Sequence, residues 1–100
     1  MKEKLEDRGV SHYSRGANFE RRVAAYYKDK GFLVIRSAGS HSPVDLVALR
    51  AGEIVLIQVK IDGRLSKVAR EQLIELGREN KCQVHFVSRV GKKLVVEELA

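Results

Sequence analysis

Three polar residues stand where the surrounding pattern is aliphatic: Asp45 within Val44–Leu49, and Gln58 and Lys60 at the end of the run that starts at Ile54. A charge taken out of water is costly unless it is paired or binds a cation. Both runs otherwise have the near-continuous apolar character of central strands covered on both faces. Between them lies Arg50-Ala51-Gly52-Glu53, a hairpin connection. If Ala51-Gly52 is a two-residue loop, Arg50 faces Glu53, and counting outward along both strands sets Asp45 opposite Gln58. Side chains alternate along a strand, so Lys60 shares that face two residues further on. Opposed Cβ atoms lie about 5 Å apart and diagonal ones about 7–8 Å, so the three form one cluster. A bulge at Gly52 would move this register by one residue.

Such a cluster suits a hard divalent cation, Mg²⁺ or Mn²⁺, which takes oxygen ligands. Asp45 supplies charge, and the Gln58 side-chain oxygen and Val59 carbonyl are neutral ligands. The cation acidifies bound water and polarises a phosphate. Lys60 then orients the attacking water or offsets charge in the transition state. The structural alternative is an Asp–Lys pair whose hydrogen bonds Gln58 completes, and these residues alone leave both open.

The elements that must position the cluster follow from periodicity. A helix is predicted from near Ala17, with Phe19, Val23, Tyr26 and Tyr27 at helical spacing and a stop at Gly31. Phe32–Arg36 reads as a short strand, followed by the small, polar loop 37–43. Ser66 caps a second helix carrying Ala69, Leu73 and Leu76, which ends at Asn80 or Lys81. Two strands, Gln83–Ser88 and Lys93–Glu98, turn about Gly91. The expected architecture is a single α/β domain: a central mixed five-stranded sheet flanked by helices. Residues 1–14 read as a flexible basic arm, and 15–100 as the folded unit.

Composition narrows the partner. The 100 residues hold one core, and 19 Lys+Arg against 13 Asp+Glu leave a net charge of +6. That balance suits a polyanion, because Lys and Arg displace counterions condensed on phosphates. Cys82 is the single cysteine, which excludes an intrachain disulfide and a thiolate zinc cluster; it reads as a small core or subunit-contact residue. No apolar run approaches the ~20 residues of a membrane span, and the charged N-terminus lacks the apolar stretch of a secretory signal. A reducing, cytoplasmic setting is expected (the host cytoplasm for a viral protein), with no membrane partner.

The segments Gly16-Ala17-Asn18-Phe19-Glu20-Arg21, Gly31–Ser40, Val44-Asp45-Leu46-Val47-Ala48 and Ile57-Gln58-Val59-Lys60, in that order, resemble the archaeal-type Holliday-junction resolvases. These belong to the PD-(D/E)xK nuclease superfamily, with a restriction-endonuclease-like fold. The resemblance runs from about Arg15 to Lys60 and continues more weakly through the second helix. It implies a metal-dependent endonuclease acting as a two-fold homodimer on four-way junction DNA in recombination and repair. Each subunit nicks one strand at symmetric positions, leaving a 5′-phosphate. It also implies that Glu20 joins Asp45 at the metal, that Arg21 and Arg36 contact phosphates, and that Ser40 lies near the scissile group. One departure stands out: the family's usual Glu in the last motif is Gln58. Gln is an accepted variant in related nucleases, and an inactivating substitution is the alternative.

Other residues carry less. Glu20 lies one position from the edge of its helix's buried face, within reach of a groove. The planar Arg36 guanidinium at a strand end suits phosphate. Ser37 and Ser40 belong to the loop, where Ser40 could hydrogen-bond phosphate and His41 reads as solvated. Arg15 and the arm residues Lys2, Lys4 and Arg8 could grip a DNA strand, with Tyr13 stacking on a base. Lys67 and Arg70, just past the site strand, read either as backbone contacts or as solvent-facing charge. Ile74, Leu94 and Val96 are the expected dimer-surface candidates. Two rivals remain: a related nuclease for linear or flapped DNA, and a DNA-binding module with a decayed site.

Overall fold

The computed structural model describes residues 11–37 and 42–100, with side chains from Gly16 onward. The chain runs α1 (Ser11–Asp29), β1 (Leu33–Arg36), β2 (Leu46–Arg50), β3 (Glu53–Val59), α2 (Lys67–Asn80), β4 (Gln83–Val90) and β5 (Lys93–Glu98). The strands form one sheet in the order β1-β2-β3-β4-β5. Every neighbouring pair is antiparallel except β3–β4, which is parallel. A parallel pair needs a crossover, and α2 supplies it.

Ala51 and Gly52 make the β2–β3 turn with φ of 27° and 84°. Positive φ at both central residues is the turn type whose twist matches a two-residue hairpin. Arg50 therefore pairs with Glu53, and the ladder continues in step to Leu46 opposite Ile57. The expected register holds, with no bulge.

The helices cover opposite faces. Under α1 the buried residues Phe19, Val23 and Tyr27 pack on Leu46, Ala48, Val55, Ile57, Val59 and Val87 as one cluster. Burying a large aliphatic side chain such as Leu46 or Ile57 contributes about 1.5–3 kcal/mol. On the other face Leu73 of α2 packs on Val84 and Val44, with Val47 and Leu56 alongside. α2 begins at Ser66, whose Oγ accepts from the Ala69 N–H at 3.1 Å. It ends at Lys81 in the left-handed conformation.

α1 starts six residues earlier than periodicity predicts. Gly16 does not break it, because one glycine costs a helix interior only about 1 kcal/mol and the rest of this turn lacks proline. Residues 11–14, assigned to the arm, are thus helical. Residues 1–10, including Lys2, Lys4 and Arg8, lie outside the described residues. So do Ser40 and His41.

Candidate active site

Asp45 sits one residue before β2. Its N–H donates to the Ile57 carbonyl at 2.8 Å, and its own carbonyl accepts from the Ser37 N–H at 2.9 Å. This backbone anchoring holds the side chain over the end of β3, where Oδ2 accepts from the Val59 N–H at 2.8 Å. Burial pushes the Asp45 carboxyl above its ordinary value. The Val59 hydrogen bond opposes that rise, the Glu20 charge adds to it, and the Lys60 charge works against it. The charges of Glu20 and Lys60 thus both reach the Asp45 carboxyl, in opposite senses.

Gln58 completes the group in an unexpected sense. Its amide is satisfied with Nε2 donating to the Pro43 carbonyl at 2.8 Å and to Asp45 Oδ2 at 3.3 Å. Pairing the other way would set the amide oxygen against two acceptors. The expected contact between Asp45 and Gln58 is present, but the nitrogen faces the carboxylate. Likewise the described link from Val59 to Asp45 runs through its N–H. Among the described residues no hydrogen bond falls on Asp45 Oδ1, and no group of three His, Cys, Asp or Glu side chains gathers.

Glu20 comes from the middle of α1, which the Phe19–Val23–Tyr27 stripe fixes against the sheet. Its Oε1 accepts from Arg36 Nε at 3.2 Å, linking α1 to the end of β1. Arg21 donates to the Asn18 side-chain oxygen. Glu20, Arg21 and Arg36 border a cleft of about 290 Å³ between α1 and β1. On the opposite face, Gln58 and Lys60 border a second cleft of about 350 Å³ beside Arg64 and the start of α2.

The remaining sequence-derived residues fall less centrally. Ser37 is tied to Asp45 through its backbone, as described. Lys67 opens α2 and is exposed. The Arg70 guanidinium is engaged by Glu97 at 2.7 Å, a pairing that depresses the Glu97 carboxyl. The side chain of Arg15 is outside the described ones. Ile74 borders a hollow beside Cys82 at the other end of α2, whereas Leu94 and Val96 pack half-buried against the α1 core. Two cations escaped the sequence reading, Lys28 in the first cleft and Arg64 in the second. Lys28 was within reach of it, since eight residues past Glu20 returns to the same helix stripe.

Comparison with known proteins bears on this geometry. The family model described as archaeal Holliday junction resolvase (Hjc) matches residues 11–97. A crossover junction endodeoxyribonuclease Hjc of Methanocaldococcus jannaschii is 38% identical over 63 residues, 63% of this chain and 47% of that protein. The protein of the same name from Sulfurisphaera tokodaii is 40% identical over 70 residues, 62% of this chain and 48% of its own. That of Sulfolobus acidocaldarius is 28% identical over 96 residues, 85% and 66%. The chain thus spans about half to two thirds of the length of these relatives. In fold it is similar to Archaeoglobus fulgidus Hjc, a Holliday junction resolvase, with a TM-score of 0.71 and 24% identity over 85% of this chain and 73% of that one. With the match running through both helices and all five strands, the chain belongs to the archaeal Holliday junction resolvase family.

Proposed function

We propose that the chain is the subunit of a metal-dependent endonuclease that resolves four-way DNA junctions. The observation that carries this reading is the site itself: a carboxylate anchored by the Val59 N–H, with Glu20 and Lys60 both acting on it electrostatically. The name that these relatives carry, crossover junction endodeoxyribonuclease, supports the reaction class. A homodimer would set two such sites in the two-fold symmetry of a junction's paired scissile phosphates. Recognition rests on junction shape and backbone charge, because neither helix is presented as a major-groove reader. The cytoplasm, where DNA is accessible, is the matching compartment.

The donor set fits a hard divalent cation, with Mg²⁺ or Mn²⁺ the natural candidates. Asp45 and Glu20 would hold it, with Asp45 Oδ1 the oxygen free of the described hydrogen bonds. The Val59 carbonyl and the Gln58 oxygen are further ligands once that amide turns over. Such an ion supplies charge neutralisation for the phosphate and acidification of water. The chain's own groups do the rest. Arg36 and Arg21 hold phosphate oxygens, with Arg36 exchanging its bond to Glu20 for one to DNA. Lys60 hydrogen-bonds the water or offsets charge on the phosphorane-like transition state. Ser40 approaches the scissile group. Arg15, Ser37, Lys67 and Arg70 follow the flanking backbone, and Arg70 must leave Glu97 to do so. Residues 1–10 carry Lys2, Lys4 and Arg8 against Glu3, Glu6 and Asp7, so any contact they add to DNA comes from individual side chains and not from net charge.

The test is a labelled synthetic four-way junction, with and without Mg²⁺. The wild-type chain should give paired symmetric nicks that require the metal, and duplex of equal length should compete poorly. Asp45→Asn should lower cleavage at least ~10³-fold, a loss of ~4 kcal/mol of transition-state stabilisation, while gel-shift affinity survives. Loss of cleavage and binding together would overturn the catalytic assignment.

One observation favours a second reading, a DNA-binding module with a decayed site. Gln58 is neutral and brings no charge to a cation held beside Asp45, whichever way its amide faces. Gln58→Glu separates the two. For a working nuclease it should tighten metal binding, measured by calorimetry without DNA, and alter cleavage. A parent and a variant that both bind the junction and leave it intact would establish decay.

A further inference from the structure

The cleft between α1 and β1 extends well beyond the residues that the reaction uses. Its α1 wall is Glu20, Ala24 and Lys28, at four-residue intervals, with Ala25 beside them. At 1.5 Å rise per residue, Lys28 stands about 12 Å along the helix axis from Glu20. The floor is Ala24, Val34 and Leu46, and the cations Arg21, Arg36 and Lys28 line the rim against the single acid Glu20. The volume of about 290 Å³ equals roughly ten water volumes, which accommodates one sugar–phosphate unit and not a duplex.

We propose that this cleft holds the sugar–phosphate unit adjoining the scissile phosphate, with Lys28 as its anion anchor. The inference rests on the nuclease reading and specifies where the cut strand lies. It is favoured by how neighbouring cations are committed. Lys30 lies over the Tyr26 ring at 4.9 Å. Arg50 stacks on Phe32 at 4.2 Å and donates to the Lys30 carbonyl. Arg22 donates to the Lys92 carbonyl at 2.8 Å. The Lys28 ammonium has no ion pair or hydrogen bond among the described residues, is exposed, and stands at the mouth of an apolar-floored slot. Two alanines keep that slot open where longer side chains would close it. An extended, flexible ammonium at such a mouth is a point charge suited to a phosphate whose sugar rests on the apolar floor.

The experiment uses the full chain and a synthetic four-way junction, with affinity measured by gel shift across a salt series. Lys28→Gln should weaken binding about 3–10-fold and reduce the slope of log K against log salt by about 0.9, the value for one phosphate contact. Lys81→Gln, a matched charge loss at the far end of α2, should leave the slope in place. Ala25→Leu, which narrows the slot and keeps every charge, should weaken binding with the slope intact. Single methylphosphonate linkages are then placed in turn on each side of the junction crossover. The neutral linkage within two nucleotides of the cut, on one side only, should weaken wild type and have no further effect on Lys28→Gln. An unchanged slope for Lys28→Gln, or losses that add at every linkage, would overturn the proposal. With wild-type cleavage intact, that outcome removes the cleft and leaves the nuclease. A wild-type chain that neither binds nor cuts the junction removes both.

Discussion

The two faces of the sheet are built to different standards. Beneath α1, nine buried residues form a continuous cluster, and Val23, Leu46, Ala48, Ile57 and Val87 are 0% exposed. Beneath α2, among the described residues, only Val44, Leu73 and Val84 are buried together. β1 and the hairpin end lie beyond its reach, leaving Leu33, Ile35 and Ile54 at 63%, 48% and 46% exposure. Densely packed interiors admit few alternative arrangements. The α1 face is therefore the better-packed reference that positions Glu20, whereas α2, with Lys67 and Arg70 at its start, rests on fewer buried residues. Phe19→Ala tests this most forcefully. It should cost about 3–5 kcal/mol by denaturant midpoint, more than Leu73→Ala on the sparser face. Equal losses would show that the faces are equally constrained.

α2 approaches the sheet closely at one point. A Cβ added at Gly77 would stand 2.6 Å from Val84 Cγ2 and 3.1 Å from the Cys82 carbonyl. Gly77→Ala therefore trades about 1 kcal/mol of helix propensity against an overpacking cost of about 1–3 kcal/mol. The expected result is a net destabilisation of about 1 kcal/mol. Val84→Ala should relieve the clash, so a double-mutant cycle should show favourable coupling of about 1 kcal/mol. Simple additivity would mean that the helix stands further off than described.

How much of this was legible in sequence depends on whether the deciding geometry is local. The β2–β3 register was readable because two turn residues set it, and alternation then carried Asp45, Gln58 and Lys60 to one place. Gly77 was not readable: a glycine within a helix looks like a weak helix position until the strand beneath it is known. The orientation of the Gln58 amide was equally hidden, since it turns on the Pro43 carbonyl, fifteen positions away in the chain and carried on a loop without periodicity. Lys28 was overlooked for another reason. A basic residue in the last turn of a helix already has an explanation in the helix dipole, and only the cleft beside it suggests more.

The α1 face also contains a titratable pair. Tyr27 is buried and its hydroxyl shares a hydrogen bond with His85 Nδ1 at 2.6 Å across the gap between α1 and β4. Burial raises the Tyr27 phenol and lowers the His85 imidazole, with Glu98 on the neighbouring strand pulling His85 back up. The folded state thus favours neutral His85 more than the unfolded chain does. The corresponding stability is complete above the unfolded value near 6.5 and declines as pH falls through the lower folded value. Melting temperature should fall as pH drops below about 6.5, and His85→Gln should flatten that dependence. A profile identical in wild type and variant would assign the acid sensitivity to other groups.

The smallest effect concerns the turn on which the site depends. Ala51 holds φ of 27°, a region that residues with a Cβ enter at a cost, while Asn enters it readily. Ala51→Asn would give the Asn-Gly pair that this hairpin type prefers, and should raise stability by up to about 1 kcal/mol. Because the loop keeps two residues, Asp45 should stay beside Gln58 and junction cleavage should be unaffected. One residue inserted between Ala51 and Gly52 must instead either bulge outward or slip the ladder. A slip would turn Leu46 and Ala48 away from the α1 core and Asp45 away from Val59, so the chain has every reason to bulge. Amide hydrogen exchange at Val59 distinguishes the two: protection that survives insertion means the core holds the register against the turn, and lost protection means the turn was the element in control.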